Sequence, residues 1–525
     1  MAITHRQAKL QESKLGIERR YPDFASKLFS FLERDESTIC WANTWNDYHL
    51  SALRVAPSDA IRRQFGISNE IPVLIATYES SLQPRVLRQL DTSKELRESA
   101  SADKDFAILV AADRNAEQFT KDRTRFSYPI LTIYTNDLRD GKFTATNLRS
   151  EIAQSMRSMN HFDNSNEIHH AADFFGRVQD VEALTHLASV GQSVGIFGLR
   201  RAGKTSLIHQ VRQQLERKGT ESIYVQLNGV VDADDLRQAL VGETAMVLRN
   251  KGGTVPENSG MLDKSFNLTY DGTAAKRWMY EMEALLHQIN SDLVIVLDET
   301  DHANEEIAAD DESEFGDRQQ MNLVIQHLRG LIQKRSDRSD NKLSLLAAGT
   351  AASIFEKSIR FGRDNQLFGF ASSRPLGSMP RDEMREMVRV LGKRSGLKFD
   401  DHRVFDSLLE EYGGHPHLTR QACARVVENV QADPEADVPH HVSIQDLEAV
   451  YGSTAENSPT HATRQTFRNF EQWYPDEAAA IMKAATDGQP AEPNHVTHAI
   501  DFGICGPKGN LRQRALRREL CRGMG

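Results

Sequence analysis

Only four cysteines stand in the 525 residues, Cys40, Cys423, Cys505 and Cys521, and none falls in a CxxC or Cys/His metal spacing. That excludes a disulfide framework and a structural zinc, and leaves buried thiols as the ordinary reading. No apolar run approaches the ~18 residues a membrane helix needs. The opening Met1-Ala2-Ile3-Thr4-His5-Arg6-Gln7 also lacks the apolar stretch of a secretory signal, so a cytoplasmic address and no membrane partner are expected. Positive charge is not in excess: 64 Lys and Arg against 74 Asp and Glu leave a net charge of -10. Coating nucleic acid through overall charge is disfavoured, while a local basic face stays possible. No internal repeat is visible. What is present is ordinary for a globular chain, 39% apolar and 26% charged, and long enough for about three or four domains of roughly 150 residues.

Residues 1–165 alternate strand-like apolar runs with polar helix-like stretches, which predicts an N-terminal α/β domain of unassigned sensing or acting role. The strands expected are Ile71–Ala76, Phe106–Ala111 and Pro129–Tyr134, separated by a helix-like Leu82–Ser99 and a polar Asn115–Arg125. Glu79, Asp113 and Asp137 close successive strands and read as ordinary strand-end acids. No carboxylate followed by E-x-K stands on a strand, so nuclease chemistry is unsupported. Ser158–Asp173 is rich in Asn, Ser and His without periodicity and reads as a linker. Its His161, His169 and His170 have no partner at ligand spacing and read as a solvated loop rather than a metal site.

The strongest motif follows the short apolar strand Ser193–Phe197. Gly198-Leu199-Arg200-Arg201-Ala202-Gly203-Lys204-Thr205 is G-x4-G-K-T, and a helix-like run continues through Ser206 to Leu215. Glycines let the backbone wrap a phosphate, successive N–H groups point inward, and the following helix N-terminus adds positive potential. Lys204 would reach the β- and γ-phosphates and the Thr205 hydroxyl would ligate Mg²⁺. Asp292–Glu299 then gives a buried-strand signature ending in two carboxylates, where Asp298 would contact the Mg²⁺ shell and Glu299 would polarise a water for in-line attack. A third strand, Leu343–Ala348, ends in Gly349-Thr350, whose hydroxyl can sense a γ-phosphate. Between these strands seven acids crowd Glu305–Asp317, read as a solvated loop and not a calcium loop. From Pro380 to Ala432 the apolar spacing turns helical.

At these residues the chain resembles the STAND class of P-loop ATPases within the AAA+-like group, especially its archaeal-type members. Phe174-Phe175-Gly176-Arg177 resembles the entry box before the P-loop, with Asp180 at the position of its Glu and Ala183 at that of its Leu. Gly198–Ser206 has the double-arginine form, Asp298-Glu299-Thr300-Asp301 resembles D-E-hydrophobic-D, and Gly414-His415-Pro416 resembles the G-x-P element of a helical lid. The resemblance implies an α/β fold with a P-loop NTPase parallel-sheet core at 166–378, a helical lid at 379–435 and a winged-helix-like domain at 436–525, behind the N-terminal domain at 1–165. It implies Mg-dependent ATP hydrolysis to ADP and phosphate, with ATP and Mg²⁺ as cofactors. Lys204, Asp298 and Glu299 would be catalytic, and Thr205 and Asp298 would hold the metal. Gly176, Arg177, Gly198, Arg200, Arg201, Ala202, Gly203, Lys204, Thr205, Ser206, Thr350 and Pro416 would line the nucleotide. Pro416 would face the base or ribose. Arg360, Arg363 and Arg374, on the segment after the third strand, read first as surface arginines, with one of them as an arginine finger from the lid side or a neighbouring subunit the alternative, and His415 and His417 read as packing or surface histidines.

The implied function is an ATP-driven switch, coupling nucleotide to domain rearrangement or homo-oligomerisation under an unknown protein trigger, in signalling or defence. In the C-terminal region Ala478–Ala485 reads as a helix, Val496–Ile504 as a helix running into a turn and strand, and Gly506–Asn510 as a wing tip. Lys508, Arg512, Arg514, Arg517, Arg518 and Arg522 follow as a basic cluster, read first as a solvated or packing face. The alternative is a DNA-binding AAA+ loader or initiator that grips duplex DNA through that cluster.

Overall fold

A computed structural model describes residues 2–34, 36–45, 50–77, 84–96, 101–120, 128–144, 146–163, 167–168, 173–253, 274–304, 312–338, 341–452 and 458–522. The chain divides into two compact units, one of residues 1–164, 385–407 and 420–451, the other of residues 165–384, 408–419 and 452–525. The segment expected as one helical lid is thus divided between them.

The first unit is built on a five-stranded sheet of β1 (Thr38–Trp45), β2 (Leu50–Ala56), β3 (Ile71–Ala76), β4 (Ala107–Ala111) and β5 (Ile130–Tyr134), in that spatial order. The β1–β2 and β2–β3 pairs are antiparallel, and β3–β4 and β4–β5 are parallel. β3 and β4 are buried at every position, as strands covered on both faces must be. Val73, Ile75, Ile108 and Val110 feed one core, and Leu74, Ala76, Leu109 and Ala111 the other. The sequence reading missed β1 and β2 because β2 is buried while carrying Arg54, which spoils the apolar signature. Arg54 is tolerated there by an ion pair with Glu70 at 2.6 Å and a hydrogen bond to Ser101 at 2.7 Å.

Two expectations in this unit change, on the stretch Leu82–Ser99 and on His161. Of the stretch Leu82–Ser99, the described residues 84–96 form two short helices, Pro84–Leu87 and Gln89–Thr92, rather than one. Asp113 accepts the Asn115 N–H, and Asp137 pairs with Arg114 at 3.4 Å and Lys142 at 2.5 Å, so both acids serve local turns; Glu79 lies outside the described residues. His161 is buried at 6% exposure, its N–H donated to Ser395 and its carbonyl accepting from Arg420. It is packed, not solvated, and His169 and His170 lie outside the described residues.

The second unit holds an all-parallel sheet. In chain order its strands are β6 (Val194–Phe197), β7 (Glu221–Gln226), β8 (Leu293–Asp298), β9 (Leu343–Gly349) and, after a small hairpin of β10 (Ile359–Arg360) and β11 (Arg363–Asp364), β12 (Ser372–Pro375). The spatial order is β12-β6-β9-β8-β7. The three interior strands β6, β9 and β8 are buried throughout, which is why they read as continuous apolar runs. β7 alternates and β12 is polar with Pro375 at its end, the marks of edge strands. Parallel order puts every carboxyl end on one side, so the loops after β6, β8 and β9 converge. The helix Glu312–Arg338 begins inside the acidic run, so its last acids stand on a helix; residues 305–311 lie outside the described residues.

The C-terminal part of this unit packs helices Pro459–Trp473, Pro475–Asp487, Thr497–Asp501 and Arg514–Arg522. The strand expected to enter Ile504 reduces to a single bridge, Cys505 to Leu511, and residues 506–510 form a tight turn closed by Gly506 N–H to the Asn510 carbonyl at 2.8 Å. Among the described residues no helix is long and apolar enough to cross a membrane.

Candidate functional site

The loop after β6 enters the helix Lys204–Arg217 through Gly203, whose φ of +98° only glycine adopts at little cost. The first-turn N–H groups of that helix have no intrahelical acceptor and face the loop's concavity. Lys204 is 7% exposed, and its ammonium donates to the carbonyls of Gly198 and Leu199, each at 3.0 Å. No carboxylate lies within ion-pair distance of it among the described residues. A buried cation satisfied by carbonyls alone calls for an anion, which is what a phosphate supplies. The loop therefore fits a nucleotide phosphate. Arg200 and Arg201 are exposed at the loop's tip, Arg201 with a left-handed φ of +62°. Ala202 is buried, and its N–H closes the turn onto the Leu199 carbonyl at 3.2 Å.

Asp298 ends β8 with no exposure. One of its oxygens accepts the Tyr224 hydroxyl at 3.0 Å and the other the Glu299 N–H at 2.9 Å. Glu299 follows with a left-handed φ of +55°, a conformation that turns the chain sharply out of the strand. Burial pushes its carboxyl above the ordinary range, and the pull of Lys204 and Arg200 down is opposed by Asp298 and Asp301. A carboxylate so poised suits a general base. Asp301 has another task, because its carboxylate accepts the N–H groups of Thr350 (2.9 and 2.8 Å) and Ala351 (2.8 Å). The loop after β8 is thereby fastened to the loop after β9. Gly349 makes that approach possible, since a Cβ there would meet the Thr300 hydroxyl at 2.6 Å and an Asp301 oxygen at 2.9 Å. The Gly349 carbonyl accepts the Gly198 N–H at 3.2 Å, which joins the third strand to the phosphate loop.

Other expected residues meet this centre or leave it. Thr205 sits one residue into the helix. Ser206 instead accepts the Ile168 N–H at 3.0 Å, holding the approach to the loop. Gly176 and Arg177 stand before the helix Val178–Ser189, where Leu184 is buried and takes the apolar place that Ala183 leaves; the Arg177 guanidinium donates to the Gly377 carbonyl and faces Asp180 at 3.6 Å. Pro416 opens the helix Pro416–Ala432. The two histidines beside it turn out to touch the phosphate loop. Buried His415 donates to the Arg200 carbonyl at 3.2 Å, and Arg201 donates to His417 at 2.7 Å. Burial, with help from Lys204 and Arg177, holds His415 down at about 4, so it is neutral at physiological pH. Of the finger candidates, Arg360 is buried and bonded to Asn322 and the Ala303 carbonyl, an internal strut, whereas Arg363 and Arg374 are exposed.

Sequence reasoning missed the residues that grip the loop after β9 from the C-terminal helices. Thr350 donates its hydroxyl to Asn469 at 3.2 Å; Tyr474 donates to the Thr350 carbonyl at 3.1 Å and accepts the Ala352 N–H at 3.0 Å. His498 stacks on Tyr474 with ring centroids 4.3 Å apart and bridges Glu477 at 2.6 Å and Glu356 at 3.2 Å. Nothing but distant chain proximity marks these residues. Burial alone would lower His498, but the two carboxylates outweigh it and push it up to about 9 from 6.5. Its contribution to stability is therefore complete below about pH 6.5 and lost as pH rises through about 9. The Asp501 carboxyl, raised by burial and pulled down by His498, also faces this cluster. We expect the melting temperature to fall by a few degrees between pH 7.5 and 9.5, and His498→Gln to remove most of that fall; an equal fall in the variant would contradict the assignment.

The family model described as an AAA domain matches residues 189–352, the span that holds β6 to β9 and all three converging loops. Among solved structures, the chain is similar to the Walker-type ATPase paby2304 of Pyrococcus abyssi, at 12% identity over 69% of this chain and 99% of that one, with a TM-score of 0.42. It is similar also to the Orc1 protein of Aeropyrum pernix solved in complex with DNA, at 13% identity over 65% and 78%, with a TM-score of 0.35. Cdc6p of Pyrobaculum aerophilum shows 11% identity over 69% and 88%, with a TM-score of 0.36. No curated protein matches the chain.

Proposed function

We propose that this chain, whose residues 189–352 match an AAA domain, binds Mg-ATP where the loops after β6, β8 and β9 meet and hydrolyses it to ADP and phosphate. One observation carries the reading: Lys204, a buried ammonium with no carboxylate partner among the described residues, shares this end of the sheet with a fixed acid, Asp298, and one whose carboxyl burial raises, Glu299. In this reading Lys204 and the helix N–H groups bind the phosphates, and Arg200, Arg201, Ala202, Gly203 and Ser206 shape the loop. Glu299 takes the proton of the attacking water. Thr205 and Asp298 would hold Mg²⁺, which offsets phosphate charge when bound.

The output is movement of the 415–417 segment against the phosphate loop, because His415 and His417 hold Arg200 and Arg201 directly. Oligomerisation in the cytoplasm under a protein trigger is the switch form of this reading. A second form, an ATP-controlled DNA loader, is favoured by Lys508 in the 506–510 turn, Arg512 just before the last helix and Arg517 on it, all three exposed. The rest of that basic cluster is engaged: Arg514 with Glu410 at 2.7 Å, Arg518 with Glu411, and Arg522 with Glu519 at 3.4 Å. Light scattering of Glu299→Gln with Mg-ADP and with Mg-ATP, with and without duplex DNA, separates the forms. The switch gives a larger species with ATP alone. The loader gives retention on DNA whose affinity falls with salt at a log–log slope of about -3, one counterion per exposed cation. A monomer in every mixture would contradict both.

A further inference from the structure

The Thr350 hydroxyl has one proton to donate and two lone pairs to accept with. In this structure the proton goes to the amide oxygen of Asn469, on the C-terminal helix Pro459–Trp473. Every other polar group of Thr350 is committed: its N–H to Asp301 and its carbonyl to the Tyr474 hydroxyl. The backbone is therefore fixed, and rotation of the hydroxyl is the freedom that remains. One residue earlier, the Gly349 carbonyl is bonded to Gly198 of the phosphate loop. On the nucleotide site proposed above, the hydroxyl would stand within reach of a terminal phosphate held by that loop.

We propose that Asn469 is a positioning residue for Thr350, competing with the terminal phosphate of a nucleoside triphosphate for the single proton of the Thr350 hydroxyl. The inference rests on the nucleotide site proposed above and deepens it. A hydrogen bond to an anionic phosphate is stronger than one to a neutral amide, so the phosphate takes the proton and Asn469 loses its partner. A diphosphate does not reach that position and leaves the Thr350–Asn469 bond in place. The C-terminal helix thereby distinguishes triphosphate from diphosphate without touching either. Release at Asn469 is free to propagate, because the same helix carries Arg464, paired with Glu519 of the last helix, and that helix in turn holds Glu411 through Arg518.

The test uses the full chain and measures displacement of a fluorescent nucleotide by a non-hydrolysable ATP analogue and by ADP. Asn469→Ala removes the competitor, so affinity for the analogue should rise about threefold to tenfold, the worth of one net hydrogen bond, with ADP affinity unchanged. In a Thr350→Val background the same substitution should have no effect, since there is no proton to contest. Asn469→Asp, an acceptor that binds the hydroxyl more strongly, should lower analogue affinity relative to ADP, and it carries the test if the alanine variant does not fold. Equal shifts for both nucleotides, no shift, or a shift that survives Thr350→Val would overturn the proposal. Wild-type protein that binds neither nucleotide would overturn the site beneath it as well, and that failure is recognised before any variant is made.

Discussion

Lys204→Ala will bind ATP and ADP at least about a hundredfold more weakly than the parent. The ammonium is buried and points along the phosphate loop between two carbonyls, so its loss removes charge-assisted bonds of ~1.5–3 kcal/mol each from any phosphate in the loop. Little else should change, because alanine favours the helix it would occupy and the carbonyls of Gly198 and Leu199 border the open loop. Isothermal titration with each nucleotide measures the effect directly. Parental affinity in the variant would mean that Lys204 braces the loop and nothing more.

Glu299→Gln should bind Mg-ATP as the parent does and turn it over about 10² to 10⁴ times more slowly, the range that loss of a general base covers. The amide keeps the size and polarity of the side chain while losing the ability to take a proton. Because burial and two neighbouring acids raise the Glu299 carboxyl, the parental rate should climb with pH later than an ordinary carboxylate would dictate, and the residual rate of the variant should lack that climb. Turnover at the parental rate would assign water activation elsewhere, with Asp301 excluded because three backbone N–H bonds already occupy it.

The parts of this site visible in the sequence are those made of contiguous residues under strict physical demands. A phosphate loop needs glycine where φ is positive and a lysine at the helix start, and the interior strands β6, β8 and β9 must be apolar along their whole length. Both demands leave patterns a few residues long, which is why the loop, the Asp298–Glu299 pair and the third strand could be placed. Contacts between distant segments leave none. Asn469, an ordinary polar residue on a helix, and Tyr474, an ordinary aromatic residue at the junction just after it, lie more than a hundred positions from Thr350, and only folding brings them together. The same holds for β2, whose Arg54 looks like a surface residue until Glu70 and Ser101 are found beside it. His415 and His417 lie between these cases: their place next to Gly414 and Pro416 was visible, but their bonds to Arg200 and Arg201 were not.

The wing-like ending shows a different limit. Glycines at 506 and 509 with a lysine between them predict a turn correctly, yet the length of pairing on either side depends on what the strands rest against, and here it is one bridge. The arginines that followed looked alike in sequence, but the fold pairs Arg514, Arg518 and Arg522 with carboxylates, Arg514 and Arg522 while still exposed, and leaves Arg512 and Arg517 exposed.

If the loops after β6, β8 and β9 form one hydrolytic centre for Mg-ATP, a single-turnover reaction shows it: the 525-residue protein in excess over radiolabelled ATP, with product and free phosphate followed in Mg²⁺ and in chelator. One phosphate is expected per ATP in Mg²⁺, none in chelator, and ATP retained intact by Glu299→Gln. Intact ATP recovered from the parent protein in Mg²⁺, bound or free, would contradict it.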